Sequence, residues 1–156
     1  MSTSLDTSLS PLARRYGIDL LYVFGSRTEE IAAAVLDPPA AGHATRGPLA
    51  VPEAGSPEEV SDVDIGVQPE RDRRLSARDR VRLTVELERE LGVTQVDLVI
   101  LPEADPFLAA EIVRGELLYA RDLDEEANTQ LYHLRRAGDL APFFREQWRD
   151  IVGSEL

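Results

Sequence analysis

The chain has 156 residues, enough for one domain with a real core and a tail but not for two comfortable domains. Its 17 basic residues, every one an Arg, face 29 acidic ones for a formal charge of −12; this balance disfavours a long phosphate backbone as ligand, and the lack of Lys excludes P-loop lysines and Schiff-base chemistry. With no cysteine and only His43 and His133, a disulfide framework, a thiolate nucleophile and a histidine-rich metal centre are excluded too.

The opening "MSTSLDTSLSPLARRYG" lacks the basic start and apolar run of a secretory signal, and no stretch approaches the ~20 apolar residues of a membrane span. A cytoplasmic protein is the expectation. Residues 9 to 17 predict a short helix, with Ser10 as N-cap, Pro11 in the first turn and Gly17 closing it. "DLLYVFGS" reads as a buried strand, Leu20 to Phe24, stopped by Gly25. Residues 31–60 begin as a helical turn and dissolve into Pro, Gly and Ala, the pattern of a long flexible insertion.

A second strand, Val63 to Val67, leads through an Arg-rich connector into a helix from Ser76 to Leu91, with Val81, Leu83, Val85, Leu87 and Leu91 as its apolar surface and Gly92 as its stop. "TQVDLVIL" (94–101) is a third strand. A helix from Pro106 to Arg114, capped by Asp105, and a short strand "ELLYAR" follow. The tail, Asp124 to Val152, reads as two helices split near Gly138, the second capped by Asp139. The sum is an α/β (α+β) protein: a small mixed sheet of about four strands flanked by helices, with residues 1–122 as the domain and 123–156 as a helical tail.

The chemistry starts at "SDVDIGV", residues 61–67. Residues two apart on a strand share a side, so Asp62 and Asp64 project together, their Cα atoms about 6.6 Å apart. Asp97 interrupts the apolar run Val96 to Ile100 in the same way. One such Asp is an ordinary strand-end residue, but three buried like charges are costly unless cations or shared protons neutralise them. Paired carboxylates suit hard divalent cations in phosphoryl-transfer chemistry. Gly25 and Ser26, at the end of a buried strand, let backbone approach an anion, and Arg27 offers a charged contact.

The order of strand, Gly-Ser, strand with Ser-Asp-x-Asp, and an isolated Asp in a later strand resembles the minimal nucleotidyltransferases of the DNA polymerase beta superfamily, from roughly Leu20 to Asp122. The resemblance implies Mg²⁺-dependent transfer of a nucleoside monophosphate from a triphosphate such as ATP to a hydroxyl. It implies that Gly25 and Ser26 hold the triphosphate, with Arg27 and Ser61 among the nucleotide contacts, and that Asp62 and Asp64 bind the metal. Asp97 would complete one metal site and help deprotonate the attacking hydroxyl. Two departures stand out: Thr28, Glu29 and Glu30 follow Arg27 where the family has a small and basic stretch, and 35 residues separate Ser26 from Asp62. The insertion either folds over the nucleotide, loops out, or has abolished activity.

Small stand-alone members of this kind resemble the antitoxin of HEPN/MNT toxin–antitoxin pairs, which adds AMP to a tyrosine of a HEPN ribonuclease. That resemblance implies a HEPN-type toxin as partner; the ribonuclease motif Arg-x(4-6)-His is absent here, since neither His43 nor His133 follows an Arg at that spacing. The alternatives are an enzyme acting on a small hydroxyl compound such as an aminoglycoside, and a binding-only antitoxin. Arg71, Arg73, Arg74, Arg78, Arg80 and Arg82 form either a dock for an acidic partner or a solvated connector and helix face. Helical spacing puts Phe144, Trp148 and Ile151 or Val152 on one face, packed either on the sheet or in a homodimer or toxin interface, with His133 a surface or interface residue rather than a ligand.

Overall fold

The computed structural model describes residues 3–37 and 62–153. Four strands form one sheet: β1 (Ile18–Phe24), β2 (Val63–Pro69), β3 (Val96–Ile100) and β4 (Glu116–Ala120), in the order β3-β2-β1-β4. β1 runs antiparallel to both β2 and β4, and β2 runs parallel to β3. Parallel neighbours need a crossover, and α3 (Ala77–Leu91) supplies it between β2 and β3. The remaining helices are α1 (Ser10–Tyr16), α2 (Thr28–Leu36), α4 (Pro106–Val113) and α5 (Leu123–Gly153).

The strand period sorts the core into two layers. Leu21 and Val23 of β1 and Val63, Ile65 and Val67 of β2 face one side, packing with Leu12 of α1, Ile31 and Val35 of α2, and Leu83, Leu87 and Leu91 of α3. Leu20, Tyr22 and Phe24 face the other side, beneath Ala109, Ile112 and Val113 of α4, with Leu123 and Leu134 of α5 packed around them. Gly66 lies on this second side, where Ile112 fills the space a side chain would need.

Several local expectations change. Ser10 is the first residue of α1 and not its cap: Leu9 holds the N-cap, and Ser10 Oγ accepts from the Thr7 amide at 2.7 Å. Val81 and Val85 are exposed, because the buried stripe of α3 is Leu83, Leu87 and Leu91, four residues apart, and the valines fall on other faces. The segment read as the start of an insertion is helical through Leu36, so α2 begins directly after the Gly25–Ser26 turn; the rest of the expected insertion lies outside the described residues.

The tail is one helix of 31 residues, about 46 Å long. Gly138, which suggested a split, stands one turn before Pro142, and Asp139, the expected second cap, lies inside the helix. The bond Pro142 cannot donate and the ring clash it brings both fall on the Gly138 carbonyl. Gly138 is exposed, with nothing within 4 Å of a Cβ placed there, so the helix has room to pass through. His133 is buried at 7% exposure, on the side of α5 that packs on the domain.

Candidate functional site

Asp64 and Asp97 are direct neighbours across the parallel pair β2–β3. Neighbouring strands stand about 4.8 Å apart, so these two carboxylates share one end of the sheet. Asp62 lies two residues before Asp64 and is exposed, as is Asp97, while Asp64 is half-buried. Burial pushes the Asp64 carboxyl above the usual carboxylate range, and the charges of Asp97, Asp62 and Glu111 push it further the same way. The field at Asp64 therefore comes from the other two sequence-selected acids and from one more.

That fourth acid, Glu111, belongs to α4 and was not selected from the sequence. Its signal was present, for it is the only polar residue in "PFLAAEIV", the whole of α4.

Opposite the acids is the end of β1. Phe24 pairs with Asp64, and Gly25 follows with φ +86°, a conformation L side chains rarely adopt; a Cβ there would stand 2.5 Å from Asp64 Oδ2. Only glycine fits this approach. Thr28 Oγ1 donates to the Gly25 carbonyl at 2.7 Å, fastening the turn. The first helical bond of α2 is Ile31 to Arg27, so the preceding amides at this end have no intrahelical acceptor. Ser26 is exposed beside them.

Arg27 occupies the N-cap of α2 without a side-chain cap bond, and its guanidinium forks onto Glu30, with both contacts at 3.1 Å. Glu29 and Glu30 thus sit in the first helical turn, where negative charge complements the helix dipole. Their presence at this helix start has this local stabilising reason. Ser61 lies outside the described residues.

The donor set is all carboxylate, which suits a hard divalent cation such as Mg²⁺ over a soft one. Among the described residues no three acidic or histidine side chains are already gathered as a metal-holding group.

Two of the arginines between 71 and 82 pair within the chain. Arg80 forks onto Glu103 at 2.6 and 2.9 Å, and Arg73 approaches Glu70 at 3.8 Å. Among the described residues no helix is long and apolar enough to cross a membrane.

Residues 49–124 match the family described as Polymerase beta, Nucleotidyltransferase; the match takes in Asp62, Asp64 and Asp97 and starts after Gly25. No curated protein matches the sequence. Among solved structures, a mutant of the toxin–antitoxin pair MntA-HpeT with two aspartates changed to glutamate is 20% identical with a TM-score of 0.61, covering 92% of this chain and 95% of that one. A toxin–antitoxin structure with AMP-PNP is 21% identical, TM-score 0.60, covering 92% and 95%. A tri-AMPylated Shewanella oneidensis HEPN toxin in complex with MNT antitoxin gives 18% identity and a TM-score of 0.59, covering 92% of each chain. Residues 49–124 are thus similar to the Polymerase beta nucleotidyltransferase family, and the described residues of this chain share the fold of these toxin–antitoxin structures.

Proposed function

We propose that this protein is a nucleotidyltransferase that moves AMP from ATP to a tyrosine hydroxyl of a HEPN-type ribonuclease, and so acts as its antitoxin. The observation that carries the reading is the in-register pairing of Asp64 with Asp97 directly beside the Gly25 turn. Residues 1–122 are the transferase domain, and 123–156 the tail.

In this reading Asp62, Asp64 and Asp97 hold Mg²⁺, which when bound neutralises phosphate charge and stabilises the attacking and leaving oxygens. The amides after Gly25 and the Ser26 hydroxyl hold the triphosphate tail, with Ser61 and Arg27 nearby; Arg27 would exchange its Glu30 contact for phosphate. The acceptor oxygen attacks the α-phosphorus, the bond to the β-phosphate oxygen breaks, and pyrophosphate leaves. Asp97 takes the hydroxyl proton. No covalent enzyme intermediate is required.

The AMP-PNP in one relative and the AMPylated HEPN toxin in another support this assignment. The test uses the purified protein, ATP labelled at the α-phosphate, Mg²⁺ and a HEPN-type partner. Label is expected on a partner tyrosine with the wild type, and none with Asp64→Asn. Equal labelling by both rejects the site; neutralisation of the ribonuclease without any label establishes binding-only action instead.

A further inference from the structure

Along α5, Leu134, Ala137, Ala141, Phe144 and Trp148 recur at alternating steps of three and four, a coiled-coil seam. The first half of the seam is covered: Leu134 packs in the α4 layer and Ala137 is buried. α4 runs opposite to α5, with the Val113 carbonyl accepting from Gln130 Nε2 at one end and Phe107 against Phe144 at the other, ring centroids 4.6 Å apart. α4 starts at Pro106, so the seam continues past the end of its covering helix. Phe144 is 53% and Trp148 70% exposed. They border a groove of about 780 Å³ with Phe107, Ala141, Arg145 and Arg149.

We infer that this groove is the dock for an amphipathic helix of the protein acceptor, one with an apolar stripe and acidic flanks. A helix is the occupant the seam fits, since it extends the packing α4 already makes with α5. Arg145 and Arg149, one turn apart on the groove, select acidic flanks, even with Glu146 and Asp150 beside them. A second copy fits less well, bringing the same arginine pair and a formal charge of −12 against −12. Trp, Phe and Arg around a small Ala floor are the residue types that dominate binding energy. The inference rests on the reading that the acceptor is a protein, and places the dock on the tail, separate from the acid cluster that would perform the transfer.

The test measures binding of a purified HEPN-type ribonuclease to full-length wild type, to a Phe144→Ala, Trp148→Ala variant and to an Arg145→Glu, Arg149→Glu variant. Helicity and Mg²⁺–ATP binding are followed in parallel. The aromatic variant is expected to bind roughly tenfold or more weaker, with helicity and nucleotide binding unchanged. The charge-reversed variant is expected to lose affinity most at low salt, where surface charges are least screened. Wild-type affinity in both variants overturns the dock and leaves the antitoxin reading standing. Failure of the wild type to bind overturns both. Sedimentation of the wild type as a dimer that the aromatic variant breaks identifies a second copy as the occupant and overturns the inference.

Discussion

Gly25 abuts the Asp64 carboxylate so closely that one methyl group on its α-carbon would come to 2.5 Å from Oδ2. The close approach and the positive φ act together, so Gly25→Ala must either strain the backbone or displace Asp64. The strain alone costs about 1–2 kcal/mol. We expect a melting temperature lower by several degrees and AMP transfer reduced at least tenfold, read by thermal denaturation and by α-phosphate labelling.

Asp64→Asn and Asp97→Asn separate chemistry from folding. Outer-shell changes at metal sites cost roughly 10–100-fold, so loss of a ligand in the proposed site should exceed 100-fold in transfer. Because Asp64 is held among Asp97, Asp62 and Glu111, removing its charge relieves repulsion. The metal-free Asp64→Asn protein is expected to melt no lower than wild type; a drop of several degrees would mark Asp64 as a structural residue.

Tyr22 ties the sheet to the tail. Its hydroxyl, on a side chain 1% exposed, donates to Glu126 Oε1 at 2.6 Å, and burial first, then Glu126, pushes its ionisation far above the normal range. A buried bond to a carboxylate contributes about 1.5–3 kcal/mol. Tyr22→Phe should lower the melting temperature by about 3–12 °C in a chain of this size, with full nucleotide binding retained.

His133 predicts an acid sensitivity. Burial first, and Arg136 second, hold its pKa below the ordinary histidine value; Tyr132 packs edge-on against its ring, and Asp19 and Arg71 line the same cleft. The folded state resists protonation that the unfolded chain accepts, so its contribution is fully present above the unfolded value and is lost as pH falls through the window beneath it. His133→Leu should shrink the difference in melting temperature between pH 7.5 and pH 5.5. An unchanged difference would show that other groups set the acid limit.

What could be read from residue order was local. Short apolar runs located the four strands of the described residues, Ser76 and Gly92 bounded α3, and three aspartates interrupted apolar surroundings at what became the candidate site. What residue order left open was every relation between distant segments. That Asp97 pairs with Asp64 depends on strand register, and register is set by the packing of both sheet faces, not by either strand alone. The same packing brings Glu111 to the acids and buries His133. In the tail, Gly138 read as a break, yet its open surroundings let the helix continue through it and past Pro142 one turn on. Local propensity fixes where elements can form; the shared core decides which of their side chains meet.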